Sequence, residues 1–325
     1  MSRGRLDVNE GSRMTEVRTR DRIRGPRRPV RPARAINGWL IGIAVGLGFF
    51  QMFLLPLVLL PRGAMWGWTL VVMVLSTTPF WSLIHEAIHG SLIRGRGVND
   101  ACGRVLGMLY GSPFAMLEAG HLLHHRYSRT RERTEIYDPA TSSWVKAAPG
   151  YYLRLFGGLY LLEVAAVLLA VLPVSVLRRL GRLMDAPDSV AGLLFERIAQ
   201  AGVLGRFRVD AAAIVVLYAA AFVAYSADGW MLLAALGGRA LVISLSDNAY
   251  HYGTELDAPL EAMNLRTFRS LERFALSFDL HGVHHRHPGL RWYELRAKFL
   301  DEGGHYHLGW ATAAARQIRG PIKLR

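Results

Sequence analysis

An all-α fold embedded in a membrane is what this chain of 325 residues predicts, on three observations. Apolar residues make up 51% of it although the first 35 residues are almost wholly polar, so the remainder is greasier than an ordinary soluble domain. Several stretches without charge are long enough to match a bilayer. No alternation of apolar and polar residues suggests strands, and no helical-solenoid repeat is visible.

Residues 1–35 hold eleven arginines, from Arg3 to Arg34, with three prolines and no apolar run. Such a segment cannot build a core and reads as a disordered basic tail. The excess of positive charge on cytoplasmic segments accounts for it, and no folded nucleic-acid reader follows. Ile36 to Pro61 carries no charge and, at about 1.5 Å per residue, crosses a bilayer. It is too long for a signal-peptide core and reads as a retained anchor. After Arg62 the uncharged stretch Gly63 to Ile84 returns, with Trp66 and Trp68 as interfacial anchors. Ala211 to Ala227 and Gly229 to Ser246, the latter interrupted by Arg239 and the two joined at Asp228, form a second hairpin. Leu155 to Leu177, interrupted by Glu163, is expected to enter the membrane without crossing. The following stretch, Arg178 to Arg208, has six arginines against three acids and reads as cytoplasmic, so a crossing would break the parity.

The expected architecture is therefore two transmembrane helical hairpins with a cytoplasmic histidine-rich helical cap. Its parts are a tail over 1–35, a membrane domain over 36–295 and a C-terminal cytoplasmic tail over 296–325. The expected location is a bacterial inner membrane, with the N-terminus and the histidines on the cytoplasmic side. Lys and Arg total 39 against 25 Asp and Glu, so the wetted surface is basic. The single cysteine, Cys102, excludes an internal disulfide, a zinc ribbon built on several thiolates and a four-cysteine iron–sulfur cluster.

Ten of the twelve histidines fall in four short clusters outside the expected spans. They are His85-Glu86-Ala87-Ile88-His89, then His121-Leu122-Leu123-His124-His125, then His251 alone after the last span, then His281-Gly282-Val283-His284-His285-Arg286-His287. Spacing by four stacks His85 and His89 on one helical face, one turn apart. In each HxxHH triplet the positions i, i+3 and i+4 form an arc, and its two adjacent histidines diverge enough to reach different metals. Nine candidate ligands are more than one metal uses, so the count implies two. Imidazole alone does not choose among iron, zinc, copper and nickel. His287 lies off the arc, and His305 and His307 sit in the C-terminal segment after Gly303-Gly304; all three read as ordinary surface histidines.

These boxes, HxxxH, HxxHH and HxxHH beside membrane hairpins, resemble the membrane-bound fatty acid desaturase and hydroxylase superfamily over roughly Gly63 to Leu295. The resemblance implies a di-iron centre that activates O2, held by His85, His89, His121, His124, His125, His281, His284 and His285. It also implies His251 as a further ligand, since His251-Tyr252-Gly253 is similar to a motif of the alkane hydroxylases. Those relatives carry asparagine four residues before that histidine, whereas this chain has Asp247 there and Asn248 beside it. Asp247 or Asn248 is then a candidate to hold a bound water, and Asp138, with Glu132 and Glu135, a candidate to orient ligand rings.

The activity so implied is oxidation of a lipid chain with O2, most simply an acyl desaturation that introduces a C=C bond. Hydroxylation, carotenoid ketolation and oxidative decarboxylation use the same scaffold. Two further readings compete. His85-Glu86-Ala87-Ile88-His89 is also HExxH, a zinc protease motif with Glu86 as general base, but it leaves both HxxHH triplets without a purpose. The other is a non-catalytic protein binding metal for structure or sensing. His287-Pro288-Gly289 is similar to the haem-binding HPGG of a cytochrome b5 but has no surrounding domain, so electrons are expected from a separate ferredoxin-type donor.

Overall fold

The computed structural model describes residues 35–258 and 260–324, so the expected basic tail, apart from Ala35, lies outside the described residues. The structure is mostly helical, with three helical runs long and apolar enough to cross a membrane, or four if a bent pair counts as one span. In hydrocarbon only a helix or a closed barrel satisfies every backbone group, and these sequences take the helix. Helix α1 (Ala35–Phe49) continues through wider turns over Phe50–Leu59, where Pro56 withholds a backbone donor, to Arg62. The helices α2 (Leu70–Leu75) and α3 (Thr77–Ile88) belong to one path bent by 44°. The bend falls at Ser76, just before Pro79, whose missing N–H cannot bond the turn behind it.

Helices α4 (Arg96–Tyr110) and α5 (Phe114–Tyr127) fold back on each other through Gly111, whose φ of 101° is the left-handed close that glycine permits. A Cβ at Gly103 would stand 2.6 Å from the Phe114 ring and 2.9 Å from the Ala87 Cβ. The absent side chain is what lets α4 lie against both α3 and α5. After the two-residue strand β1 (Ile136–Tyr137) come α6 (Trp144–Leu153) and α7 (Leu159–Ala165), then the arginine-studded α8 (Val174–Leu183) and α9 (Ala191–Ile198).

The pair α10 (Ala201–Tyr225) and α11 (Gly229–Asp247) reverses at Ser226, where φ is 49°. Tyr218 and Arg239, on opposite sides of that turn, both reach the Leu109 carbonyl, at 3.0 and 3.5 Å, so the two helices run antiparallel. By length and composition Trp144–Val171 is one of the three candidate spans. It breaks, however, at Phe156 and Gly157, where φ reaches 117°. Arg154 before the break bonds Asp247 at 3.0 Å, while Arg208 bonds the carbonyls of Ala170 and Leu172 after it. Asp247 and Arg208 lie toward the same end of the antiparallel pair, so Arg154 and residues 170–172 do too.

The rest is β2 (Leu265–Arg266), α12 (Arg269–Phe274), α13 (His281–Arg286), α14 (Trp292–Asp301), β3 (Leu308–Gly309), α15 (Trp310–Arg316) and β4 (Ile322–Lys323). The strands pair β1 with β4 and β2 with β3, both parallel. The domain boundary expected at Leu295 falls inside α14, and the residues beyond it pack back onto the body. Phe299 is buried with Leu280 and Val283, Gln317 donates to the Leu245 carbonyl at 2.8 Å, and Tyr252 donates to that of Gly320 at 2.7 Å.

The main core gathers Met52, Leu55, Ile84, Ile88, Leu106 and Tyr110 between the candidate spans. The two charges that interrupt apolar stretches both bind the end of α4. Glu163 accepts from the Tyr110 hydroxyl at 2.8 Å, and Arg239 donates to the carbonyls that end α4, Leu109 and Tyr110. A buried helix end leaves carbonyls without partners, and a cation there is doubly favoured. Placing Val at Gly103 should push α4 off its neighbours and destabilise the protein by about 1–3 kcal/mol, seen as a lower thermal midpoint of the purified chain in detergent.

Candidate metal centre

Helix ends bring the histidines together. His85 lies in the last turn of α3 and His89 caps it; His121, His124 and His125 fill the end of α5; His251 follows α11 after the turn Asn248–Tyr250; His281, His284 and His285 make up half of α13. The C-terminal ends of α3, α5 and α11 thus point their negative dipole ends at one place, which favours positive charge there.

Two groups result. The ligand nitrogens of His85, His89, His121, His125 and His284 lie within 4.8 Å of one another, and so do those of His124, His251, His281 and His285. The structure therefore brings together all nine histidines singled out from the sequence and sends adjacent residues to different groups: His124 and His125 separate, as do His284 and His285. His287 instead pairs with Glu302, and His307 accepts from the Asn264 amide at 3.0 Å.

The spacing within each group suits a metal. Nε2 of His121 stands 2.9 Å from that of His89 and 3.0 Å from that of His125, which stands 2.9 Å from that of His284. In the second group Nε2 of His285 stands 3.1 Å from that of His281 and 3.3 Å from that of His124. Nitrogens bound at about 2.0–2.1 Å to one ion, at octahedral to tetrahedral angles, are separated by about 2.9–3.4 Å. Hydrogen bonds alone do not explain the first set, because alternating donors and acceptors along four Nε2 atoms leaves one proton shared between two neighbours. Nε2 of His85 and of His251 is buried without a hydrogen-bond partner among the described residues.

Burial, reinforced by neighbouring imidazoles, holds the pKa of His121, His125, His281 and His284 well below the usual histidine range. Burial does the same for His251. These rings are neutral near pH 7 and present lone pairs. At His124 burial also opposes charge, but the Glu132 carboxylate outweighs it and raises the pKa. For Glu132 itself burial acts upward, yet His124 and the hydrogen bond between them bring its pKa down to about 2. That bond, 2.8 Å from His124 Nδ1 to Glu132, places the proton on Nδ1 and turns Nε2 toward the group.

Of the carboxylates proposed to orient ligands, Glu132 touches a histidine and Asp138 does not. Asp138 is exposed and accepts from the Ala140 amide, because the chain turns there and the short side chain closes the turn. Glu135 is buried against Arg129. Asp247 pairs with Arg154, whereas Asn248 accepts from Thr134 and keeps its Nδ2 buried without a partner among the described residues. Both line a small cavity with His124, Ser128, Glu132 and His251, with room for about one water molecule.

Sequence reasoning missed Asn37. It joins α1 to the site's far side by donating to the Leu92 carbonyl at 2.7 Å and accepting from Trp292 Nε1 at 3.0 Å. Trp292 also donates its amide to Glu86, which accepts from Ser91 as well, so Glu86 is committed to tying the first box to the segment after the last. No local pattern announces such contacts, which cross more than two hundred residues.

A mostly helical chain with membrane-length runs and two groups of converging imidazoles has the makings of a membrane protein built around histidine boxes that could hold metal. The sequence profile of the fatty acid desaturase family matches residues 63–310, and the chain belongs to that family. No curated protein and no solved structure matches it.

Glu132→Ala should weaken metal binding at the second group by about 10–100-fold, whereas Asp138→Ala should leave it unchanged. Metal content of the purified variants, measured against chelator concentration, checks both.

Proposed function

We propose that the protein is an O2-dependent di-iron oxidoreductase that introduces a C=C bond into a fatty acyl chain. The observation that carries this reading is the partition of nine converging imidazoles into groups of five and four, in a chain of the desaturase family. An acyl C–H bond has no acidic proton and no leaving group, so side-chain acid–base chemistry cannot break it, and iron held at the two groups would supply the oxidant.

What the chain itself contributes is placement and exclusion of water. Five of the rings stay neutral, Glu132 holds the proton of His124 on Nδ1, and Asn248 offers a buried N–H to the small cavity beside His251. Aromatic rings pack edge-on against the ligands: Trp81 on His121 at 6.4 Å, Phe278 on His85 at 5.3 Å. Tyr250 lies tilted against His281 at 4.7 Å. An oxidant strong enough for an alkyl chain is kept from water by such walls. Electrons come from outside, from a ferredoxin-type donor, since one cysteine cannot hold a cluster. The protease reading lacks a positioned base, because both Glu86 oxygens accept other hydrogen bonds.

In this reading the N-terminus and the histidines face the cytoplasm of a bacterial cell, and the spans form two hairpins. Trp144–Val171 dips into the bilayer and returns, as its break at Gly157 and the common level of Arg154 and residues 170–172 suggest. Reporters fused near Met184 and after Leu290 should both be cytoplasmic and one near Asp228 external; an external signal at Met184 would refute the dip.

The chemistry is tested by supplying the purified chain with iron, a ferredoxin and its reductase, NAD(P)H, O2 and acyl lipids. Mass spectrometry should find products short of two hydrogens, only when the donor is present. Products that gain oxygen instead would make it a hydroxylase. Glu86→Gln should keep two irons, whereas His251→Ala should lose iron and activity; zinc in place of iron would overturn the reading.

A further inference from the structure

Two loops that leave the second group are tied together by a buried ion pair. One loop follows the HxxHH triplet of α5 and supplies Glu132 to His124; the other follows His251. Arg129 adopts a φ of 62°, where a side chain other than glycine's is strained, and its guanidinium is buried with the Glu135 carboxylate at 2.7 Å. The same guanidinium donates through Nη2 to the Thr254 carbonyl at 2.8 Å and through Nε to that of Glu255 at 3.4 Å. Glu135 in turn accepts from the Gly253 amide at 3.1 Å, and the Arg129 carbonyl accepts from the Asp257 amide at 3.0 Å. Thr254 closes the circle by donating its hydroxyl and its amide to the His251 carbonyl, at 2.9 and 3.0 Å.

These bonds touch only one group. Ser128, beside Arg129, stands 3.4 Å from His251 Nδ1, and the Arg129 amide bonds the carbonyl of Glu132. His124 and His251 are thus both held from behind by the segment Arg129 anchors. The first group is held instead by Glu86, Ser91, Asn99 and Trp292 around α3.

We propose that the Arg129–Glu135 pair is a positioning device for the second metal alone: it fixes His251 and the His124–Glu132 pair relative to each other, so the affinity of the four-histidine group depends on it while that of the five-histidine group does not. The inference rests on the two-metal reading above. A planar guanidinium that satisfies a carboxylate and two carbonyls at once sets both distance and angle between the loops, which an ammonium cannot do. Charge without that fork should leave the fold intact and the site loose.

The test uses the full-length chain in detergent, stripped of metal and titrated with Co(II), whose imidazole-bound absorption reports each site. The wild type should bind two ions. Arg129→Lys and Glu135→Gln should bind one with unchanged affinity and the second about 10–100-fold more weakly, with an altered absorption band for that ion. Adding His281→Ala to Arg129→Lys should weaken the second ion further and leave the first untouched, whereas adding His284→Ala should leave no tight site. Arg131→Gln, on the outer side of the same loop, should bind as wild type.

Two ions bound at wild-type affinity by both single variants would overturn the proposal. Equal weakening of both sites in a variant with native helical dichroism would overturn its selectivity. If a lone buried charge prevents folding, Arg129→Met combined with Glu135→Leu removes both charges, and wild-type affinity for the second ion in that variant would also overturn it. A wild type that binds a single ion fails the two-metal reading instead, so the two failures are distinguishable.

Discussion

Imidazole nitrogens that approach to 2.9–3.3 Å without a proton for every contact turn lone pairs toward one another, and in a buried site no water relieves the repulsion. A cation between them reverses the sign of the interaction. The helices that carry the rings end at this place, so their carbonyl dipoles add to the demand for positive charge. Burial keeps most of the rings neutral and thereby stops them from meeting that demand by taking up protons. Crowding, dipoles and desolvation together favour a cation at the two groups over a cluster of protonated histidines.

Holding the groups in place demands rigidity where a bilayer gives little help. Apolar packing between helices is weakly directional in lipid, and close approach of small residues and polar contacts set the geometry. Gly103 permits the tight stacking of α3, α4 and α5, and so fixes the first box against the second. Arg239 and Glu163 close around the end of α4, linking α11, which leads to His251, to the hairpin that carries His121, His124 and His125. Charges that look like interruptions of apolar stretches are thus the contacts that fix helix positions.

On the wetted side the same task falls to buried side chains between loops. Asn37, Glu86 and Trp292 bind the first and last boxes, while Arg129 and Glu135 bind the second box to His251. Each of these carries a desolvation cost that only a complete set of partners offsets. The segment after Leu295 supplies further cover: Gln317 and the carbonyls of residues 317–320 receive or make bonds to Leu245, Tyr151, Tyr152 and Tyr252.

The histidine spacing determined much by itself, since i, i+3 and i+4 relations are local and a helix turns about 100° per residue. That His124 and His125 diverge, that nine rings exceed one ion, and that the chain is helical and membrane-bound all follow from short stretches of sequence. Tertiary structure alone decided which histidines share a group, because His284 joins His85 and His281 joins His251 only through packing of α13 between distant segments. It also decided that Glu132 rather than Asp138 serves a ligand, a choice set by a turn at Asp138 that consumes its carboxylate. Arg129 and Asn37 carry no local signature, and nothing local tells what Glu135 and Arg239 bind, for their partners are brought near by the path of the whole chain, and burial of a charge is a property of the surroundings rather than of the residue.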